Sequence, residues 1–228
     1  MDYEVSLLES IDRGGGCRSF RFERPEGYGF KAGQFFVIRL DDKLAKHFSF
    51  SNSPTEEGYV EFTTKMSESD YKKRLATLIP GYLVKISQPM GKFTYLGQKK
   101  LVFIAGGIGI TPFRSIAKYL TDVKADCDVV LLWGVNTFED AVFKGDFDVM
   151  RTQNRRLTTI YVLAKPPAEW VGPKGYITKE TIQGEISDYL ERTFYVCGPP
   201  KMVEAMAGLI GEVGVGGESV VVEQFSGY

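Results

Sequence analysis

The segment Ala105-Gly106-Gly107-Ile108-Gly109-Ile110-Thr111-Pro112 carries the clearest chemical signal in the chain. An apolar run, Lys99–Ala105, enters a cluster of glycines, and Pro112 stands where a helix would open. Glycines let a ligand approach the backbone, and a helix start presents unpaired N–H groups to an anion. In a doubly wound sheet a dinucleotide pyrophosphate sits at such a turn; the alternative is a plain strand–helix connection. Tyr195-Val196-Cys197-Gly198-Pro199-Pro200 repeats the design and places Cys197 at a strand end, in the crevice where such sheets bind ligands. A small buried thiol is the competing reading. Lys46-His47-Phe48-Ser49-Phe50-Ser51 alternates bulky and hydroxyl side chains. One face of such a strand can hydrogen-bond a flat polar ring while Phe48 lies against it; the alternative is an edge strand with solvated serines. At the end of the chain, Glu223-Gln224-Phe225-Ser226-Gly227-Tyr228 pairs a carboxylate with aromatics, which suits either packing or function.

Other chemistries are poorly supplied. His47 is the only histidine, which removes His-based metal sites and Ser-His-Asp catalysis. The cysteines, Cys17, Cys127 and Cys197, are odd in number and far apart, so neither a disulfide framework nor an iron–sulfur cluster is expected. No metal site is expected, and a cofactor must supply the redox chemistry. A net charge of −1 argues against a nucleic-acid partner. The longest apolar runs, Val129–Val135 and Leu101–Ile110, fall short of the ~20 residues a membrane helix needs. No membrane insertion is expected. The start Met1-Asp2-Tyr3-Glu4 lacks a secretory pattern, so a cytoplasmic location is expected.

The elements that would position these residues fall into two textures. Up to about residue 95, short runs rich in Val, Ile, Phe, Tyr and Thr alternate with turn residues such as Gly14–Gly16 and Ser53–Gly58. That spacing predicts a closed or partly closed antiparallel β-barrel, interrupted by a helix over Ser69–Leu78. After Gly97, apolar strands alternate with helices, which predicts a parallel sheet with helices on both faces. The predicted organisation is therefore a β-barrel over residues 1–97 and an α/β nucleotide-binding domain over 98–228.

Taken in order, these segments resemble the ferredoxin–NADP⁺ reductase superfamily along nearly the whole chain. Its barrel motif Arg-x-Tyr-Ser reads here Lys46-His47-Phe48-Ser49. The resemblance implies that Lys46 holds the flavin diphosphate, that Phe48 packs on the isoalloxazine, and that Ser49 approaches flavin N5. Lysine loses the bidentate fork of arginine, and phenylalanine loses a hydroxyl. Thr63, Thr64 and Lys65 match the next cofactor-facing strand, and Ser67 and Ser69 match a phosphate-cradling segment whose usual glycine is here Met66. Ala32-Gly33-Gln34-Phe35 and Pro89-Met90-Gly91-Lys92-Phe93 resemble two further barrel segments. In the second domain Gly106, Gly107, Gly109, Thr111 and Pro112 look like the family's nucleotide loop. Cys197, Gly198 and Pro199 look like its Cys-Gly-Pro motif beside the nicotinamide, and Glu223 and Phe225 like its terminal Glu-x-aromatic.

The resemblance implies FAD and NADH or NADPH as cofactors, with Ser49, Cys197 and Glu223 as the catalytic group. Phe225 or Tyr228 would cover the nicotinamide site at rest. The acceptor would be a separate redox protein such as a ferredoxin or a cytochrome. The loop Gly134–Asp140 contains no Arg or Lys to meet a 2′-phosphate, which favours NADH, although Lys165, Arg151, Arg155 and Arg156 remain within sequence reach. A free-flavin or ferric reductase, and a non-autonomous module of a larger oxidoreductase, are the alternatives.

Overall fold

Strict alternation builds the first sheet of the computed structural model, which describes residues 2–225. In β6 (Leu83–Ser87), for example, Val84 and Ile86 are buried while Leu83 and Lys85 face solvent. The antiparallel sheet comprises β1 (Asp2–Gly14), β2 (Cys17–Glu23), β3 (Phe35–Arg39), β4 (Ala45–Ser49), β5 (Tyr59–Lys65) and β6, in the order β4-β3-β6-β1-β2-β5. Its two edges meet at a bridge between Phe50 and Phe62, where the Ser51 N–H donates to the Glu61 carbonyl at 2.8 Å. The barrel is therefore partly closed. Its interior is aromatic: Phe50 stacks on Phe30 and Phe36, with ring centroids 3.9 and 4.3 Å apart. The expected helix appears as α1 (Asp70–Ala76), with the Ser69 side chain capping its start.

The second sheet is parallel. It comprises β7 (Lys100–Gly106), β8 (Asp128–Val135), β9 (Leu157–Leu163), β10 (Thr193–Gly198) and β11 (Val220–Gln224), in the order β11-β10-β7-β8-β9. Its helices are α2 (Thr111–Asp122), α3 (Lys144–Gln153), α4 (Lys179–Glu185) and α5 (Pro200–Glu212). Both faces are dry, as a parallel sheet requires. Along β7, Leu101, Phe103 and Ala105 enter one core, while Val102 and Ile104 enter the other. The order reverses between β7 and β10, which makes their carboxyl ends the switch point where open α/β sheets bind ligands. One detail departs from expectation. The glycines do not form an open loop; Gly107–Ile110 wind into a 3₁₀ turn, with Gly107 at φ +51°, and α2 begins at Thr111 rather than Pro112.

A buried polar seam joins the barrel to the parallel sheet. Arg114 on α2 donates to Glu56 at 3.0 Å, to Asp146 on α3 at 2.7 Å and to the Ser51 carbonyl at 3.2 Å. The adjacent Ser115 hydroxyl donates to the Asn52 carbonyl at 2.6 Å. Burial alone would raise the Glu56 carboxyl, yet the Arg114 guanidinium holds it below the usual carboxylate range. These bonds fix the two sheets around the crevice between them.

Candidate active site

The switch point is built from backbone. Cys197 pairs with Ala105 in register, so the turns after β7 and β10 lie side by side. A Cβ on Gly109 would lie 2.3 Å from the Cys197 carbonyl oxygen, and one on Gly198 would lie 3.3 Å from the Gly106 nitrogen. At Gly109 only glycine allows this approach, and at Gly198 it keeps the two turns in close contact. The turns open into a cleft of about 750 Å³ that reaches Asn136 and Asp140 on one side and Gly15, Cys17 and Lys65 of the barrel on the other. Gly107, Gly109 and Pro199 line it. Thr111 is buried, and its hydroxyl closes the turn onto the Ile108 carbonyl at 3.3 Å. Pro112 sits in the first turn of α2 and is buried.

A second cavity, of about 400 Å³, lies against the barrel and is lined by Lys46, His47, Phe48, Ser49, Lys72 and Glu223, among others. Phe225 lines both spaces and thus stands between them; its N–H donates to the Gly198 carbonyl at 2.9 Å. Strand pairing explains how the chain end reaches this place. β11 runs parallel to β10 and sets Glu223 opposite Cys197, so the carboxyl arrives at the level of the two glycine turns. There the Ser49 hydroxyl hydrogen-bonds it. Burial pushes the Glu223 carboxyl up to about 7 despite the Ser49 bond, and its Oε2 is buried with no hydrogen-bond partner among the described residues. A carboxyl with a pKa near 7 can hold or release a proton at neutral pH.

Two residues sit differently from the simplest reading. Cys197 is fully buried in the core and lines neither space, and burial, with the Glu223 charge adding, raises its thiol well above the ordinary value. It is a neutral packing group under Gly109. Phe48 stacks on Phe62 at 4.3 Å, and the Lys72 ammonium lies over the Phe48 ring at 4.7 Å. The Phe48 ring thus meets both Phe62 and Lys72 while it lines the barrel-side cavity. Thr63 turns inward, bonding Ser19 and Ser51 at 2.6 and 2.9 Å beside buried Glu61. Thr64 turns the other way and accepts from Lys72. Lys65 and His47 are exposed, as is Ser67, and Ser69 is occupied with capping α1. Tyr228 lies outside the described residues.

Sequence reading missed Lys72 and the Arg114 seam. For Lys72 a signal existed: it lies three residues before Leu75, so the amine falls on the apolar face of α1. For Arg114 none did, because Glu56 and Asp146 come from distant segments. Among the described residues no cluster of His, Cys, Asp and Glu could hold a metal ion, and no helix is long and apolar enough to cross a membrane.

Comparison with known proteins places this geometry. Residues 103–208 match the oxidoreductase NAD-binding domain family. The chain is 29% identical over 219 residues to NADH-cytochrome b5 reductase 2 of Aspergillus niger, covering 91% of this chain and 68% of that protein. It is 27% identical over 227 residues to a component of the Na(+)-translocating NADH-quinone reductase of Pseudoalteromonas atlantica, covering 90% of this chain and 56% of that component. The chain thus spans about half the length of such components. Among solved structures, a ferredoxin NADP+ reductase from Neisseria gonorrhoeae with bound FAD and NADP shares the fold, with a TM-score of 0.84 at 19% identity and 98% of each chain covered. The flavohem-like FAD/NAD binding domain of a Vibrio cholerae nitric oxide dioxygenase gives a TM-score of 0.86 at 20% identity, covering 97% of this chain and 98% of that one.

Proposed function

We propose that this chain belongs to the ferredoxin–NADP⁺ reductase superfamily and is a flavoprotein reductase that moves reducing equivalents between NADH or NADPH and FAD and hands them to a separate one-electron acceptor, such as a ferredoxin or a cytochrome. The observation that carries the reading is the meeting, at one switch point, of the Gly106–Gly109 and Gly198–Pro199 turns with the Ser49–Glu223 pair. The barrel-side cavity suits a flavin. It has an aromatic wall in Phe35 and Phe48, cationic groups in Lys46 and Lys72, and Glu223, whose Oε2 has no hydrogen-bond partner among the described residues. The larger cleft suits a dinucleotide, with glycine turns packed so closely that a Cβ on Gly109 would strike the Cys197 backbone.

When bound, the flavin supplies hydride exchange at N5 and releases electrons one at a time. The protein's part is positional. The glycine turns bring backbone N–H groups to a pyrophosphate. Cys197, small and neutral, keeps the β10 end thin enough for a flat ring to reach the crevice. Ser49 Oγ would offer a hydrogen bond to a flavin in the barrel-side cavity, and Glu223, raised to about 7, could exchange a proton through Ser49. Phe225 lines both spaces, where a nicotinamide would displace it on reaching the flavin. NADH is favoured, because Asn136 and Asp140 line the cleft and a carboxylate repels a 2′-phosphate.

The test is an absorbance spectrum of the purified protein, taken before and after anaerobic NADH and then NADPH. A flavin spectrum that survives gel filtration and bleaches with NADH supports the reading; a colourless protein that binds no FAD sinks it. A second reading, an electron-input module of a larger oxidoreductase, has one observation in its favour: the match to the quinone reductase component runs over 90% of this chain but 56% of that component. Rapid flavin reduction without turnover on isolated ferredoxin or cytochrome would favour it.

A further inference from the structure

The family pattern would place a flavin phosphate at the start of the helix after β5, yet that start is acidic here. Glu68 and Asp70 flank Ser69, and the Ser69 side chain already accepts from the Lys72 N–H. A carboxylate pair repels a phosphate, and α1 has only seven residues. Cationic side chains lie instead in the cavity beside it. Lys46 comes from β4 and Lys72 from α1, and both line the same space of about 400 Å³.

Lys72 is 2% exposed, which is rare for a lysine. Its amine donates to Thr64 on β5 and lies over the Phe48 ring on β4. The charged and titratable groups acting on it include Lys46 and the Cys17 thiol on β2. Burial, with the Lys46 charge adding, pushes its amine down to about 7. Glu223 lines the same cavity, where its carboxyl is bonded to Ser49 and acts on Cys197. Two ammonium groups brought to one small space repel each other, and an anion between them reverses the sign of that interaction.

We propose that Lys72 is a cofactor-binding residue, and that with Lys46 it forms a two-lysine seat for a phosphate of the flavin in place of an arginine fork and a helix start. The inference rests on the flavoprotein reading and assigns the phosphate end of the same site. Lysine acts as a point charge without a fork, so two of them from different elements supply the two contacts that one bidentate arginine would.

The experiment titrates protein freed of flavin with riboflavin, FMN and FAD, following flavin fluorescence, for wild type, Lys72→Met and Lys72→Arg. Riboflavin carries the ring and no phosphate. Lys72→Met is expected to weaken FMN and FAD about tenfold or more, as losing one charge-assisted contact does, while riboflavin changes less than about twofold. Lys72→Arg is expected to restore most of the loss. Inorganic pyrophosphate is expected to compete with FMN in the wild type, a measurement that does not depend on the variants folding. Equal weakening of riboflavin and FMN overturns the proposal, because Lys72 then acts on the ring or on the barrel. Unchanged FMN affinity in Lys72→Met overturns it as well. A wild-type protein that binds none of the three flavins overturns the flavoprotein reading itself, and this inference with it.

Discussion

Replacing Glu223 by Gln tests whether a buried, proton-holding carboxyl sits at the junction of the two ligand spaces. In the unfolded chain this carboxyl titrates near its ordinary value of 4.5, and in the fold burial raises it to about 7. Between these values the folded state binds a proton that the unfolded state does not, so stability falls as pH rises through this window. The full shift is worth about 3 kcal/mol; partial exposure of the side chain brings the working figure to about 2 kcal/mol. Glutamine keeps the shape and cannot ionise. The variant is therefore predicted to be more stable than wild type by about 2 kcal/mol at pH 8.5, with the difference closing below pH 4.5. Urea unfolding followed by the fluorescence of Trp133 and Trp170 reads both conditions. The same substitution removes the proton held beside Ser49, so flavin reduction should slow by about 10²-fold or more and lose its pH break near 7. A stability difference that is the same at both pH values, or of opposite sign at pH 8.5, would refute the reasoning. A stabilising change that costs activity is the usual mark of a functional group held in an unfavourable place.

Three further outcomes follow from the geometry. Gly109→Ala puts a methyl 2.3 Å from the Cys197 carbonyl and displaces the turn; KM for NADH is predicted to rise about tenfold or more with flavin content unchanged, measured by steady-state kinetics and absorbance. Arg114→Met leaves Glu56 and Asp146 without their shared cation, and a loss of about 3–5 kcal/mol is predicted in urea unfolding at pH 7. Because Glu56 is held below the usual carboxylate range in the fold, wild type gains stability from this pair above pH 4.5 and loses it as pH falls further, a slope the variant should lack. Asp140→Ala removes a carboxylate from the dinucleotide cleft and is predicted to narrow the NADH-over-NADPH ratio of kcat/KM by about fivefold or more; an unchanged ratio places the 2′-position elsewhere.

Local chemistry made much of the fold legible. Pro200–Glu212 forms one of the helices that alternate with apolar strands after Gly97, because a proline opens it and an apolar periodicity carries it. The paired turns at Gly106–Gly109 and Gly198–Pro199 could be located from glycine and proline alone, since glycine permits the close backbone approach and proline opens the helix that follows. The alternation of β6 and the continuous apolar run of β7 distinguished a half-solvated antiparallel sheet from a parallel one buried on both faces. These features are set by a residue and its near neighbours, so a single sequence carries them.

Charge and contact across the chain were decided only in three dimensions. Ser49 and Glu223 come from distant parts of the sequence and meet because β4 edges the barrel while β11 edges the parallel sheet beside it. Cys197 has the position expected of a site residue, yet its side chain belongs to the core, since a strand end shows where a residue lies along the chain and not which side its neighbours cover. Lys72 lies on the apolar face of a short helix, but what its amine meets is settled only when β4 and β5 close over it. Arg114 gains its partners only when the distant Glu56 and Asp146 are folded against it. A side chain's type is written in the sequence, but its burial, its partners and therefore its pKa depend on which distant segments exclude water from it, and that is a property of the packed structure.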